Sequence, residues 1–202
     1  MRAGLNSGRD EWYDASAMPR MDVLHTAEFD SPIGSLRVVC SEQGLAYIQL
    51  PHQNGRGFDG WRTRHAADAR VEPGFEPNRP YVTQVLEFLE GKRREFSLPL
   101  DLRGTDFQLA VYREVERIAF GESRSYAQVA AAIGRPRATR AVGAANGANP
   151  IPLIVPCHRV IGSRGQLQGY GGGLDLKARL LAMEQSAAEQ TRPLGSGQGR
   201  LL

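Results

Sequence analysis

The sequence predicts an α+β (α/β) chain in two parts. A small N-terminal three-stranded antiparallel sheet with one helix is followed by a mostly helical C-terminal unit, which carries a helix-turn-helix and a short buried strand at its candidate site. Three observations predict this. Residues 23–50 fall into short apolar-rich runs bounded by turn sequences. From Thr105 onward, apolar residues recur at helical spacing. Two helix-start signatures, Thr105-Asp106-Phe107-Gln108 and Ser125-Tyr126-Ala127-Gln128, lie in that second half.

Residues 1–21 are polar and patternless and read as a flexible extension, in which Met18 or Met21 offers an alternative start. Residues 23–29, 35–40 and 45–50 read as three strands. Ser31-Pro32-Ile33-Gly34 and Glu42-Gln43-Gly44 supply the turn chemistry between them. Residues 51–80 are rich in Gly, Pro, Arg and Asp without a period and read as a long mobile loop. A helix follows over residues 81–90, with Val82, Val85, Leu86 and Leu89 on one face, and Gly91 stops it. Residues 22–96 thus form an N-terminal α/β domain, and residues 97–104 a linker.

The C-terminal domain spans residues 105–186. Its first helix carries Phe107, Val111, Val115 and Ile118 and breaks at Gly121. The second runs from the Ser125 cap through Val129 and Ile133 to Gly134. Pro136 sits where a helix starts, and a third helix covers residues 137–148. Two short helices around a Gly-containing turn form a helix-turn-helix pattern. The third helix has almost no large side chains, and its two glycines cost ~1 kcal/mol each against alanine. So bare a helix either packs tightly in a core or approaches another surface closely. Arg140 is the one long side chain near its start. Leu153-Ile154-Val155 reads as a short buried strand ended by Pro156, which has no N–H for a ladder. A last helix, residues 174–184, has Leu176, Leu180, Leu181 and Met183 on its core face. Residues 187–202 read as a flexible tail.

Composition narrows the function. With 41% hydrophobic and 23% charged residues the chain is not a disordered one. No apolar run approaches the ~20 residues of a membrane helix, and the first 20 residues lack the apolar core of a secretory signal. Two cysteines, Cys40 and Cys157, exclude a disulfide framework and a Cys-x-x-Cys zinc site, and suit a reducing cytosol. The net charge of +3 is unevenly spread. Between Glu122 and Asp175 lie six arginines (Arg124, Arg135, Arg137, Arg140, Arg159 and Arg164) and no acid. Such a stretch suits a polyanion; a solvated basic face is the plainer reading.

The chemistry centres on Cys157 and His158. In a continuing strand these neighbours would face opposite ways. To cooperate they need a turn or a helix start, and Pro156 supplies the break. A helix start also favours thiolate, and a histidine takes the thiol proton directly or through a water. A buried, inert cysteine is the bland alternative. Gly169-Tyr170-Gly171-Gly172-Gly173 marks a backbone that is compact or closely approached. Glu184 ends the last helix, where the dipole disfavours an acid, so it points to a specific partner.

Pro156-Cys157-His158-Arg159-Val160 resembles the signature of the O6-alkylguanine-DNA alkyltransferase (methylated-DNA–protein-cysteine methyltransferase) family in its bacterial form. Ser125-Tyr126, Arg140-Ala141-Val142-Gly143, Asn149-Pro150, Tyr170-Gly171-Gly172-Gly173 and Met183-Glu184 sit at the spacings of that family. The resemblance is strong over residues 101–185 and weaker over 29–50, where Ser31-Pro32-Ile33-Gly34 resembles the family's first hairpin.

The resemblance implies a ribonuclease H-like N-terminal domain and a DNA repair protein. Cys157 would take the alkyl group from guanine O6, or from O4 of an alkylated thymine, irreversibly and once per molecule. His158 would activate Cys157 through a water, and Glu184 would orient His158. Asn149 would tie the active-site turn to the preceding helix. Tyr126 would sit near the guanine and its phosphate. Residues 139–148 would enter the minor groove of double-stranded DNA, with Thr139, Ala141, Gly143, Ala144, Asn146 and Gly147 facing it and Ser125 and Arg137 beside it. Arg140 would fill the space of the flipped base. Tyr126, Pro152, Val155, Val160, Tyr170, Gly171, Gly172 and Gly173 would line the alkylguanine pocket. The implied chemistry uses no cofactor and no metal; Cys40, His25, His52 and His65 match no zinc cluster of the family. The implied state is a cytoplasmic monomer, with cooperative assembly on DNA as a further expectation. Guanine O6 is hidden in the stack, so chemistry there requires flipping. Two other readings stand beside this one. A non-catalytic lesion binder would keep its function in Cys157→Ala. A Cys-His hydrolase would turn over, and would leave the bare helix unexplained.

Overall fold

Alternation along the strands gives the first sheet two buried faces. Strands β1 (Val23–Ser31), β2 (Gly34–Ser41) and β3 (Gly44–Gln49) form the expected antiparallel meander. Leu36, Val38, Cys40 and Ile48 face one core, while Val39, Ala46 and Tyr47 face another on the opposite side. The computed structural model describes residues 22–51 and 57–190. The expected N-terminal extension, residues 52–56 of the expected loop and residues 191–202 of the expected tail lie outside these.

The stretch expected to be a long loop instead completes the sheet. Helix α1 (Gly57–His65) covers the second face with Phe58 and Trp61, which cluster with Tyr47. Strand β4 (Arg70–Pro73) pairs in parallel with β1, so the sheet has four strands in the order β3-β2-β1-β4. Helix α2 (Phe75–Leu89) begins six residues before the expected start. Each miss has a local cause. Helix α1 buries only Phe58, Gly60 and Trp61 amid polar residues. Strand β4 is an edge strand with two charges and a proline, the composition that edges tolerate. In α2, Pro77 occupies the first turn, where no donor is needed. Pro80 gives up one internal bond, and Asn78 Nδ2 ties the turn to β1 by donating to Gly74 O (2.7 Å) and His25 O (2.9 Å).

The segment expected to be a linker runs along the open edge of β3. Leu45 N–H donates to Pro99 O (2.9 Å), and Asp101 N–H donates to Leu45 O (2.8 Å). The approach is so close that a Cβ on Gly44, at φ +144°, would lie 2.3 Å from Pro99 O. Beyond it come α3 (Asp106–Glu116), α4 (Tyr126–Ala132), α5 (Thr139–Gly147) and α6 (Leu174–Gln190). Both expected capping boxes form, Thr105 with Gln108 and Ser125 with Gln128. Helix α5 starts two residues after the expected point and has no side-chain cap. Helix α6 runs on to Gln190, so Glu184 lies inside it rather than at its end, and residues 187–190 are helix rather than tail.

Leu153-Ile154-Val155 is buried as expected, but it is a turn and not a strand. Leu153 has φ +78°, the only positive value at a non-glycine among the described residues. Pro150, Pro152 and Pro156 deprive this stretch of ladder donors, so burial here comes without strand geometry. The short strand lies after the cysteine instead: β6 (Val160–Ile161) pairs in parallel with β5 (Arg124–Ser125). The two halves share one apolar core, and Ile48 N–H donates to Pro150 O across them (2.8 Å). Among the described residues no helix is long and apolar enough to cross a membrane.

Candidate active site

The turn that presents Cys157 is built on one asparagine. Asn149 Nδ2 donates to Val155 O (2.8 Å), and its Oδ1 accepts from Ile151 N–H (3.1 Å). The side chain thus closes the 151–155 turn as a strand partner would. Cys157 then opens a one-turn 3-10 helix, Cys157–Arg159, behind Pro156. Its N–H donates to Val155 O (2.7 Å), and its carbonyl accepts from Asn146 Nδ2 (3.2 Å). The turn places His158 beside Cys157 without the alternation of a strand. Burial pushes the Cys157 thiol up, and the Asn149 hydrogen bond and the Lys177 charge pull against it.

His158, Arg159 and Glu184 form a buried polar cluster. His158 Nε2 and Glu184 Oε1 are 2.7 Å apart, and both side chains are fully buried. Arg159 grips the same carboxylate through Nε (2.9 Å to Oε2) and Nη2 (2.9 Å to Oε1), while its Nη1 donates to Ile118 O (2.6 Å). Gly121 N–H donates to Glu184 Oε2 (3.0 Å). Burial pushes the Glu184 carboxyl up, but the hydrogen bonds from His158 and Arg159 outweigh it and hold it below its ordinary value. Glu184 is therefore a carboxylate and accepts, so Nε2 of His158 carries the proton. Burial pushes His158 down and keeps it neutral. Its Nδ1, buried and without a hydrogen-bond partner, then presents a lone pair. A neutral histidine with a free lone pair is able to accept a proton.

Most of the residues expected to line a pocket are buried. Tyr126, at the start of α4, is 8% exposed, and its hydroxyl donates to Gln168 O (3.0 Å). Tyr170 is 9% exposed, its hydroxyl is unpartnered, and its ring meets that of His158 edge-on at 6.4 Å. Pro152, Val155 and Val160 are buried. Gly171, Gly172 and Gly173 are half-buried. A Cβ on Gly172 would stand 2.7 Å from Leu176 Cδ2 and 3.1 Å from Leu50 Cδ1, so the N-terminal half presses on this segment.

Helix α5 presents Arg140, Ala141, Ala144 and Gly147 to solvent, with Gly143 and Thr139 half-buried. Gly143 faces the Tyr126 ring, at 3.9 Å from where a Cβ would lie. Ser125 is half-buried and uses its hydroxyl as the α4 cap, accepting from Gln128 N–H (3.2 Å). Arg137 is exposed. One expected DNA-facing residue is misplaced. Asn146 shares the inward face with Val142 and Ala145, at the i, i+3, i+4 spacing of a helix, and holds the Cys157 carbonyl instead. The six-arginine stretch also shrinks. Arg124 pairs with Glu114 (2.5 Å) and Arg159 with Glu184, leaving Arg135, Arg137, Arg140 and Arg164 exposed.

Two site residues escaped the sequence reading: Arg159, counted as surface charge, and Lys177, not singled out. A signal for Lys177 exists. It stands seven residues before Glu184, two helical turns, on the same face as Leu180. Two opposite charges on an apolar stripe mark a buried polar site. The described residues hold no group of three or more His, Cys, Asp or Glu that would bind a metal.

Comparison with known proteins places the chain. Residues 24–102 match the "6-O-methylguanine DNA methyltransferase, ribonuclease-like domain" and residues 106–186 the "6-O-methylguanine DNA methyltransferase, DNA binding domain". A methylated-DNA–protein-cysteine methyltransferase of Mycobacterium bovis is 43% identical over 166 residues, 82% of this chain and 95% of the relative. The inducible one of Bacillus subtilis is 48% identical over 148 residues, 73% and 83% of the two chains. The crystal structure of Mycobacterium tuberculosis OGT in complex with DNA aligns with a TM-score of 0.70 at 42% identity, covering 81% of this chain and 94% of that one.

Proposed function

Since the chain belongs to the 6-O-methylguanine DNA methyltransferase family, we propose that it repairs DNA by flipping O6-alkylguanine out of the duplex and moving the alkyl group onto its own Cys157. It is an enzyme of the methylated-DNA–protein-cysteine methyltransferase class and binds DNA. The observation that carries the finer reading is the buried series Cys157, His158, Glu184, in which the 2.7 Å contact leaves His158 Nδ1 as the free base.

The thiol proton passes to Nδ1, directly or through a water. The sulfur pair then attacks the alkyl carbon, the C–O6 bond breaks, and its pair leaves with guanine, which takes up a proton. Asn149 keeps the turn in shape, and Tyr126 stands where the base enters. The thioether has no leaving group, so each molecule acts once. O4-alkylthymine offers the same bond to break. Flipping costs a few kcal/mol, and Arg140, exposed at the start of α5, replaces the lost stacking partner. Ala141, Ala144 and Gly147 leave α5 without bulk, which suits close entry into the minor groove. Arg135, Arg137 and Arg164 supply phosphate contacts without sequence preference. The protein acts as a monomer, and cooperative assembly along DNA adds to affinity.

Mixing the protein with a duplex holding one O6-methylguanine, followed by intact and peptide mass spectrometry, tests this. One methyl on the Cys157 peptide, stoichiometric and without turnover, is expected. Bound DNA with no mass change would make the protein a lesion sensor and refute the transfer.

A further inference from the structure

Helix α5 turns one amide inward at the site, and half of that amide is unused. Asn146 is 4% exposed. Its Nδ2 donates to Cys157 O (3.2 Å), and Val160 N–H donates to the same carbonyl. A carbonyl can only accept, so the amide nitrogen must face it. That fixes Oδ1 as the other atom, and Oδ1 is buried with no hydrogen-bond partner. One turn earlier on the same helix, Gly143 faces the Tyr126 ring, 3.9 Å from where a Cβ would lie. Asn146 therefore sits where α5 meets the Cys157 turn, one turn along from the start of α4.

Buried polar atoms are nearly always paired, so an orphan calls for an occupant. Among the described residues, the C-terminal half has three such side-chain atoms: Asn146 Oδ1, His158 Nδ1 and the Tyr170 hydroxyl. All three lie around Cys157 and His158. The Tyr170 ring meets the His158 ring at 6.4 Å, and Asn146 holds the Cys157 carbonyl. The thiol proton accounts for His158 Nδ1. The Tyr170 hydroxyl can donate or accept, but Asn146 Oδ1 can only accept. Its partner must therefore bring a donor hydrogen. The alkylated bases differ in this respect. With O6 alkylated, N1 of guanine has no hydrogen and N9 carries the sugar, so the 2-amino group is the only N–H donor on the base. O4-alkylthymine has none, because N3 has no hydrogen and N1 carries the sugar.

We propose that Asn146 is a specificity-determining residue of the transfer: its Oδ1 accepts from the 2-amino group of the flipped guanine and favours that base over O4-alkylthymine. The inference deepens the reading of Cys157 as alkyl acceptor and rests on it. Asn146 moves no proton and forms no covalent bond. The bond from Nδ2 to the Cys157 carbonyl holds the amide in one orientation, so the acceptor is in place before the base arrives. A thymine in the same place leaves Oδ1 unpaired. Asn146 shares α5 with the exposed Arg140, Ala141 and Ala144, so one helix meets the duplex on its outer face and reads the base on its inner one.

The test compares duplexes that differ in one group: O6-methylguanine, and O6-methylhypoxanthine, which lacks the 2-amino group. Single-turnover rates are measured for the wild type and for Asn146→Ala. A buried acceptor left unpaired costs a factor of ~5–100, so the wild type should react about 10-fold or more faster with the guanine lesion. In Asn146→Ala the two rates should approach each other, and the preference over O4-methylthymine should narrow with them. A merely structural role slows both duplexes equally. An unchanged ratio would therefore overturn the proposal, as would a wild type that does not discriminate. If Asn146→Ala does not fold, NMR of the Asn146 side-chain amide decides, in Cys157→Ala bound to each duplex. The guanine lesion should shift that resonance and the hypoxanthine lesion should not; equal shifts would overturn the proposal. Failure of the wild type to accept a methyl from DNA would strike the transfer itself, while the affinities of Cys157→Ala for the two lesion duplexes would still report the base readout.

Discussion

Glu184→Gln is the substitution with the largest consequence worked from the structure. The carboxylate accepts from His158 Nε2, from two nitrogens of Arg159 and from Gly121 N–H, with no solvent contact. Glutamine keeps the shape but has one acceptor oxygen, and it turns an NH2 group toward a donor. The Arg159 guanidinium is then buried without its counter-ion, which costs ~3–5 kcal/mol. At ~2–4 °C per kcal/mol for a chain of this size, Tm falls by ~6–20 °C. The chemistry suffers separately. The amide NH2 is free to donate to Nε2, which moves the histidine proton to Nδ1 and removes the base. Loss of general-base action costs ~10²–10⁴-fold in rate. Acid stability gives a third readout. The folded Glu184 carboxyl lies below its unfolded value near ~4.3, so its contribution is present above that pH and is lost as pH falls through the folded value. In the variant this part of the acid limb should flatten. Calorimetry across pH and a quenched single-turnover assay measure all three. A variant melting within ~2 °C of the wild type, with its rate intact, would refute both roles of Glu184.

Three further outcomes are expected. Asn149→Ala removes two hydrogen bonds that close the 151–155 turn, at ~1–3 kcal/mol for each group left unsatisfied. Chemical denaturation should show a loss of about 2 kcal/mol or more, together with slower transfer. Arg140→Ala should slow repair of duplex more than of single-stranded substrate, because only the duplex needs its stack refilled; equal losses in the two assays would remove that role. S-Methylation of Cys157 adds a methyl to a packed site, at ~1–3 kcal/mol, so the alkylated protein should melt below the unmodified one, and equal melting temperatures would argue for a roomier pocket.

Local rules explain what was legible beforehand. The two capping boxes are i, i+3 exchanges within a single turn, so Thr105 with Gln108 and Ser125 with Gln128 formed where the sequence placed them. The β1–β2–β3 meander follows from alternation and two tight turns. Where local and tertiary terms disagreed, the sequence misled. The run Leu153-Ile154-Val155 announces burial, and burial is correct, but the surrounding prolines and the Asn149 clasp make it a turn. Helix α1 and strand β4 have weak intrinsic patterns; they exist because the second face of the sheet needs a cover and β1 needs a partner.

The sequence by itself determined that Cys157 and His158 stand together at a break in the chain, since Pro156, Cys157 and His158 are neighbours whatever the rest does. It also determined that α5 is bare and that Arg140 stands at its start. Tertiary structure decided which charges face water. Arg159 is drawn inward by a carboxylate 25 residues away, and Lys177 by carbonyls 9 and 17 residues away. Asn146 is turned from a groove-facing position to the Cys157 carbonyl by the helical phase that buries Val142 and Ala145. The reason is physical. Propensity, capping and turn chemistry act over about four residues, whereas the destination of a buried charge depends on which distant groups the fold brings within hydrogen-bond reach.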